Sequence, residues 1–292
     1  MPPPSIAHRP SDRPRPNATP APGARSTPGP SPGPAARPAG HPAAAAASTA
    51  SDGGGTVKSM CGRFAMNKET DDLISEFVAA GGDVADWRPV YSIAPTDPAP
   101  IVRERARGEE TLRQVDVASW GLRPSWAKPG GPSPINARLE SVATNGMFKG
   151  AFASQRCIVP MLGYYEWAKV SDGKQPYFLR TDADLLAAAG LYTARKEGDR
   201  WALTFTIITR EARDASGEVH DRMPVFLTED TWDSWLSPVK LTDPTETLAT
   251  LDRSSVAVAA TMSGYPVDRK VNSVQKVDPL DPTVIEPIRL AD

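Results

Sequence analysis

Residues 156–209 read RCIVPMLGYYEWAKVSDGKQPYFLRTDADLLAAAGLYTARKEGDRWALTFTIIT, and this stretch decides the fold class. Apolar runs rich in β-branched and aromatic residues are separated by short segments containing glycine or charged residues, which is the pattern of consecutive β-strands. Strands and helices do not alternate regularly here, which argues against a parallel α/β sheet. The strands predicted from this stretch are Arg156–Trp167, Pro176–Arg180, Leu185–Tyr192 and Trp201–Thr209.

The sequence on either side of this stretch predicts further short elements. In chain order these are a strand over Cys61–Met66, a helix over Lys68–Ala80 capped by Asn67, a hairpin of Pro100–Arg107 and Thr111–Trp120 around Gly108, a helix from Asn136 through Asn145, and helices over Thr228–Leu236 and Asp243–Arg253. Short strands with interspersed helices predict an α+β fold, with a mostly antiparallel sheet or open barrel flanked by short helices.

Residues 1–59 differ in composition from the rest of the chain. They hold 14 of the 31 prolines and almost no large apolar side chains. Such a segment buries too little surface to offset its ordering entropy, so we expect it to be disordered, and residues 60–292 to form a single compact domain. No apolar run approaches the ~20 residues that span a bilayer, and no secretory signal pattern is present. The protein is therefore expected in the cytoplasm.

Charge and residue counts exclude several classes of function. The net charge is −2 overall and +4 over residues 1–59, so residues 60–292 carry −6. Nucleic-acid binding would therefore need a local basic groove on an acidic body. Two cysteines exclude a disulfide framework, and His220 is the only histidine after residue 59, which leaves little for a metal site. No metal or organic cofactor is expected.

Cys61 directly follows Met60, where the composition changes. Asp52–Gly55 would be encoded by GG-rich codons of the kind found in a ribosome-binding site, so Met60 is a candidate translation start whose removal exposes Cys61. An N-terminal cysteine carries an α-amine with a pKa near ~7.8, against ~10.4 for lysine, beside a nucleophilic thiol. This 1,2-aminothiol condenses with an aldehyde to an imine and then a thiazolidine ring. The alternative is a genuine disordered arm, in which Cys61 is only the first residue of a strand.

Two further side chains are candidates for proton transfer. Glu166 lies in Gly163-Tyr-Tyr-Glu-Trp167, where aromatic neighbours would desolvate a carboxyl group and suit it to general acid work. Its alternative is a solvent-facing position on the strand. His220, in a polar loop, is the only imidazole available to the domain, although a lone loop histidine is more often inert.

Polar and aromatic side chains near the centre of the chain are candidates for binding. Asn136 and Arg138 are either a helix cap and an exposed arginine or groups that contact a sugar and a phosphate. Trp126, in a loop rich in Pro and Gly, is the better candidate for base stacking, whereas Trp120 ends an alternating strand and is expected in the core. Cys157 is expected to be a buried structural thiol, with a papain-like pairing to His220 as the weaker alternative.

Together these motifs resemble the SOS-response-associated peptidase (SRAP) family, whose members process abasic sites. The matching segments are Met60-Cys-Gly-Arg-Phe64, Ile93-Ala-Pro95, Trp120-Gly121, Ile135-Asn-Ala-Arg-Leu-Glu140, Met147-Phe-Lys149, Gly163-Tyr-Tyr-Glu-Trp167 and His220-Asp-Arg-Met-Pro224. Each is short, but seven in order over nearly all of residues 60–292 form a specific signal. The resemblance raises the expectation that Met60 is removed. A 59-residue arm would otherwise have to be cleaved off by self-processing.

The resemblance implies a role for each matching residue. Cys61 would form a thiazolidine link to the ring-opened aldehyde of an abasic site in single-stranded DNA, which implies self-processing peptidase, cross-linking and lyase-type activity. Asn136 would orient the opened sugar, Glu166 would be the acid/base group, and His220 would assist proton transfer. The residues that would hold DNA are Arg63, Trp126, Arg138 and Arg222.

Three positions depart from the family pattern and bear on DNA affinity. Ser92 stands where asparagine is usual, Gly146 where arginine often occurs, and Ala127 where a second tryptophan can occur. The sequence leaves two rival functions, a thiol peptidase acting in trans on proteins and a non-catalytic single-strand binder. The expected partner is single-stranded DNA containing abasic sites, with no membrane, and the protein is expected to be a nucleoid-associated monomer.

Overall fold

The computed structural model describes residues 62–77, 79, 87, 90–128, 130–183, 185–212, 217 and 219–290, all of which belong to one compact unit. The predicted arm over 1–59 and Cys61 lie outside these residues. The described strands are β1 Phe64–Met66, β2 Val90–Ile93, β3 Pro98–Arg107, β4 Glu110–Trp120, β5 Asn136–Arg138, β6 Arg156–Met161, β7 Gly163–Val170, β8 Gly173–Arg180, β9 Leu186–Glu197, β10 Arg200–Glu211, β11 Arg222–Pro224 and β12 Ser263–Pro266. The α-helices are α1 Thr70–Glu76, α2 Lys149–Ser154, α3 Trp232–Leu236 and α4 Thr245–Ala259, with short 3₁₀ turns at Glu229–Thr231, Arg269–Asn272 and Pro282–Ile285.

Five strands close into a barrel in the order β10-β4-β3-β6-β9, because β9 pairs back onto β10. Every pair around the ring is antiparallel except β4 with β10. The short strands β5 and β11 extend β10 beyond the barrel, in parallel and antiparallel pairing respectively. The predicted α+β class with mostly antiparallel pairing is confirmed, and the barrel is closed.

A second, five-stranded sheet has the order β12-β8-β7-β1-β2 and is antiparallel throughout. The face of this sheet that carries Phe64 and Tyr164 packs into the large core shared with the barrel. The opposite face carries Ala65, Tyr165 and Phe178, and it is covered by the C-terminal residues, including Val271. Side chains alternate between the two faces because successive residues of a strand point in opposite directions.

The predicted strand Arg156–Trp167 is two strands that belong to different sheets. Leu162 separates β6 in the barrel from β7 in the second sheet, and its N–H donates to the Ala65 carbonyl at 2.7 Å. Gly163 follows, and a Cβ there would lie 2.5 Å from the Phe178 ring. The chain therefore changes sheets at a point where only glycine fits.

The other predicted elements are largely found, with two errors at asparagines. The hairpin of β3 and β4 turns at Gly108, which has a positive φ of 66°. Asn67 does not cap α1, since that helix begins at Thr70 without a side-chain cap. The helix predicted from Asn136 is also wrong, because Asn136 begins β5, which pairs with β10. No described helix is long and apolar enough to cross a membrane.

Candidate active site

Glu166 lies in the interior, on β7, with 1% of its surface exposed. It shares a strand face with Tyr164, two residues earlier, whose ring packs 5.9 Å from that of Phe226. Glu166 therefore belongs to the face of the second sheet that meets the barrel. The alternative of a solvent-facing glutamate is therefore wrong.

Asn136 is buried at the first position of β5, level with Ile207 of β10. The preceding residue, Ile135, accepts a hydrogen bond from Trp120 Nε1 at 2.9 Å. The Trp120 ring in turn packs edge-on against Phe64 of β1, with the ring centroids 5.2 Å apart. These contacts connect β5, which carries Asn136, to β1, which pairs with the Glu166 strand β7.

His220 sits at the entrance to β11 with its side chain almost fully buried. Its Nδ1 accepts a hydrogen bond from the Arg222 N–H at 3.1 Å, so in the neutral ring the proton resides on Nε2. Nε2 has no hydrogen-bond partner among the described residues. The imidazole is therefore oriented through Nδ1, which also lies 3.3 Å from Asp221 Oδ1, and Nε2 is buried.

Arg222 forms a bidentate ion pair with Glu140, with Nη1–Oε1 and Nη2–Oε2 distances of 2.7 and 3.0 Å. Its Nη2 also donates to the Thr209 carbonyl of β10 at 2.7 Å. Burial alone would raise the pKa of Glu140, but the hydrogen bonds from Arg222 and the nearby charge of Arg138 hold that pKa below its ordinary value. Arg138 itself is exposed, and it lies level with Thr209 in the β5–β10 pairing.

Arg63 is buried between the second sheet and the C-terminal residues. Its Nη1 donates to Ser92 Oγ at 3.0 Å and to the Val271 carbonyl at 3.1 Å, and its guanidinium lies 5.8 Å from the centre of the Trp167 ring. Burial lowers the pKa of Arg63, partly offset by electrostatic interactions with Tyr165 and Asp97. Ser92, noted as a departure from the family pattern, is thus a direct partner of a predicted site residue.

The two tryptophans of the central loop differ as predicted. Trp120 is fully buried, whereas Trp126 is 65% exposed. Trp126 lines an open cleft of about 250 Å³ together with Gly146, Met147 and Lys149. The cleft is lined by Gly146, which departs from the family pattern, and by Met147 and Lys149, which match it. Gly146 has no side chain that would narrow the cleft.

Cys157 faces the barrel interior and is fully buried. A Cβ placed on Gly190 would lie 3.0 Å from its Sγ, so the thiol fills the space that the glycine leaves. Burial raises the pKa of Cys157 far above its ordinary value, although the charge of Arg103 opposes this. These features fit the structural role rather than a papain-like nucleophile. Among the described residues no group of three His, Cys, Asp or Glu side chains is placed to hold a metal ion.

The protein thus has a closed barrel packed on a second sheet, with a buried carboxyl group and an oriented imidazole. Comparison with known protein families identifies the class to which this arrangement belongs. The model of the SOS response associated peptidase (SRAP) family matches residues 60–274, and the chain belongs to this family.

Several named relatives are similar over most of their length. The chain is 32% identical over 224 residues to the abasic site processing protein YedK of Escherichia coli (strain K12), which covers 74% of this chain and 96% of that protein. It is 33% identical over 227 residues to the abasic site processing protein YoqW of Bacillus subtilis (strain 168), with coverages of 75% and 97%.

Solved structures share the fold. A protein from Bacteroides thetaiotaomicron aligns with a TM-score of 0.64 at 21% identity, covering 78% of this chain and all of that one. A phage-related protein from Bordetella bronchiseptica aligns with a TM-score of 0.54 at 27% identity, covering 72% of this chain and 95% of that one.

Proposed function

We propose that this protein is an abasic site processing protein that joins Cys61 covalently to the ring-opened aldehyde of an abasic site in single-stranded DNA. The names of its relatives support the substrate. The observation that carries the proposal is the pairing of β1 with β7. Phe64 lies opposite Tyr164, and the Tyr165 N–H donates to the Arg63 carbonyl at 2.9 Å.

Continuing this antiparallel register brings Gly62 level with Glu166. The residue before Gly62 is bound to it covalently, with Cα atoms about 3.8 Å apart. We infer that a nucleophile at position 61 would be within reach of Glu166, which is buried on the barrel-facing side of the described sheet. Strand pairing holds Glu166 and Gly62 level, which supports this proposal because strands fix positions more closely than loops do.

The chemistry needs no oxidant and no cofactor. The α-amine of Cys61 adds to the aldehyde carbon, and the resulting carbinolamine loses water to give an imine. The thiol then adds to the imine carbon and its proton passes to the nitrogen, which closes a five-membered thiazolidine. The net change is the loss of one water. Glu166 would first act as the acid/base group in opening the sugar ring, and would later protonate the carbinolamine hydroxyl that leaves as water.

Asn136 and His220 are proposed to handle the opened sugar. Asn136 is held by the β5–β10 pairing, so its amide would orient the sugar hydroxyls. Nδ1 of His220 is engaged by the Arg222 N–H, so Nε2, which is buried, would become accessible on DNA binding and pass protons to and from the sugar oxygens. A thiazolidine also removes the imine that drives strand scission, so the link would protect the strand from breaking.

The residues proposed to hold DNA differ in how free they are to do so. Arg138 and Trp126 are exposed and need no rearrangement to meet a phosphate and a base. Arg222 is bound to Glu140, and Arg63 is buried against Ser92, so a phosphate would have to displace or share those partners. We therefore assign the first contact with DNA to Arg138 and Trp126.

The test compares the full chain with a chain started at Met60, each incubated with single-stranded DNA that contains one abasic site. Intact mass reports whether Cys61 is N-terminal, and a denaturing gel reports a covalent complex. We expect a shifted band only where Cys61 is N-terminal, and none in Cys61→Ala. DNA without the abasic site is the matched control.

A folded protein with a confirmed N-terminal Cys61 and no band would overturn the proposal. If the protein instead turned over a peptide substrate, and this activity required Cys61 and was unaffected by DNA, the trans-acting peptidase would become the leading function. Cleavage of the full chain before Cys61 that is lost in Glu166→Gln would identify self-processing by the same site.

A further inference from the structure

A second exposed tryptophan lies beyond the cleft of Trp126. Trp201, near the turn between β9 and β10, is 68% exposed. It lines a cleft of about 460 Å³ that also includes Tyr192 and Leu203. The two clefts share Gln155 and Ala194, so they form one groove that runs from Trp126 to Trp201.

The part of this groove beyond Trp126 is lined by residues of the barrel strands β3, β4, β9 and β10. Arg103 and Asp116 form a buried ion pair there at 2.6 Å, and the Arg103 guanidinium lies 4.9 Å from the centre of the Tyr192 ring. The positive charge of Arg103 is thus neutralised by Asp116 inside the protein. Leu203 faces Ala194 in the β9–β10 pairing and contributes an apolar surface.

Basic side chains border the groove, although the domain is acidic. Arg105 on β3 lines the part of the groove that contains Trp201. Lys196 is level with Trp201 across the β9–β10 pairing, so an ammonium group stands beside an exposed indole. On the other side of Ala194, Lys149 lines the cleft of Trp126.

Exposed aromatic rings alternating with cations along a groove are the arrangement that binds single-stranded nucleic acid, because rings stack on bases and cations pair with phosphates. We propose that the groove binds the single strand as it leaves the abasic site, with Trp201 as a second stacking platform after Trp126. This rests on the proposed function. It adds a contact outside the reacting centre, and no segment matched to the family pattern contains Trp201.

The occupant is a single strand because the groove continues a surface already assigned to one. A strand with one base stacked on Trp126 would continue past Gln155 and Ala194, which line both clefts. The exposed ring in the second cleft is Trp201. Lys149, Lys196 and Arg105 are the cations that would pair with the phosphates of this strand. A site of this kind raises affinity without regard to sequence, because every base has a face that stacks.

The experiment measures equilibrium binding of the full chain to DNA that cannot react. Three single strands each carry an abasic analogue without an aldehyde. One is short, at about 4 nucleotides, and the others extend to about 16 nucleotides on the 5′ or the 3′ side, which spans the range of single-strand site sizes. The variants are Trp201→Ala, Trp201→Phe and Val239→Ala, and Val239 is a matched control that is 71% exposed and lies outside the groove.

We expect wild type to gain affinity from an extension on one side only. Trp201→Ala should lose about 5- to 100-fold in affinity for that extended strand, the effect of removing one stacked base. Trp201→Phe should retain most of the gain, and Val239→Ala all of it.

Trp201→Ala with wild-type affinity for both extended strands would overturn the inference. An equal loss on the short strand would overturn it as well, since that indicates damage outside the groove. Because the probe is unreactive, these outcomes are independent of cross-linking. A protein that binds in this way and never forms a covalent complex would contradict the proposed function, but the inference that the groove binds a single strand would still hold.

Discussion

Glu166 is 1% exposed and Trp126 is 65% exposed, although both are proposed to act on the same strand of DNA. The first lies in the middle of a five-stranded sheet, and the second in a loop between strands. Glu166 is thus fixed by strand pairing, where a small displacement is costly, whereas Trp126 lies in a loop, where the chain tolerates change. We expect substitutions in the two regions to affect different quantities, the rate of the chemical step in one and the affinity for DNA in the other.

The largest effect is expected for Glu166→Gln, which keeps the shape of the side chain and removes the proton it exchanges. The rate of covalent complex formation at saturating DNA should fall about 10²- to 10⁴-fold, the usual contribution of a general acid or base. Binding to unreactive DNA should change little. Single-turnover time courses on denaturing gels measure the rate. A variant that binds poorly but reacts at the wild-type rate once bound would break the comparison between the two regions.

Phe64→Ala tests whether the buried region is a mechanical unit. The Phe64 ring contacts Trp120, which holds the Ile135 carbonyl next to Asn136. Removing it should lower the free energy of unfolding by about 3–5 kcal/mol through the lost contacts and the cavity left behind. Urea denaturation measures this, and Phe64→Leu is the control with a smaller cavity. A loss below about 1 kcal/mol would contradict the tight packing assigned to this core.

Trp126→Ala should lower the affinity for single-stranded DNA by about 5- to 100-fold, because one base loses its stacking partner. Its effect on the free energy of unfolding should stay within about 0.5 kcal/mol, as expected for an exposed side chain. Fluorescence anisotropy and urea denaturation measure the two quantities. Equal affinity of the variant and wild type would place the stacking contact elsewhere on the surface.

Glu140→Gln is expected to have the smallest effect, and one that depends on pH. The pKa of Glu140 is lowered in the folded protein, so its ionised form stabilises the fold above the ordinary carboxyl pKa, and this is lost as the pH falls through the lowered value. The glutamate is half exposed, so the loss at neutral pH should be at most about 1 kcal/mol. The melting temperatures of the variant and wild type should therefore differ at pH 7 and converge in acid. A difference that grows in acid would contradict the ion pair with Arg222.

The sequence predicted those features that depend on neighbours along the chain. Apolar runs separated by short polar segments located most strands of residues 156–209, and the contrast between a loop and a strand end separated Trp126 from Trp120. Asn136 was misassigned because its local sequence resembles a helix start. The partner that makes it a strand, β10, lies about 70 residues further on. The break at Leu162 was missed because an unbroken apolar run does not show where a strand changes sheets.

The contacts of Arg63 lay beyond sequence analysis altogether. Ser92 and the Val271 carbonyl are separated from it by 29 and 208 positions. No local pattern indicates that three such distant residues meet. The roles proposed for the site residues stay predictions, since they concern a substrate rather than the fold.

The parallel pair of β4 and β10 has a consequence for how the protein folds. Every other strand pair in the barrel is antiparallel, and this one joins Ser119 to Thr204 across most of the barrel's own sequence. Pairing over such a separation is slow, because the chain loses much entropy before the contact forms. β5, with Asn136, and β11, which follows His220, both attach to β10. In refolding experiments we therefore expect the capacity to bind an abasic site to appear last, in the same kinetic phase that closes the barrel.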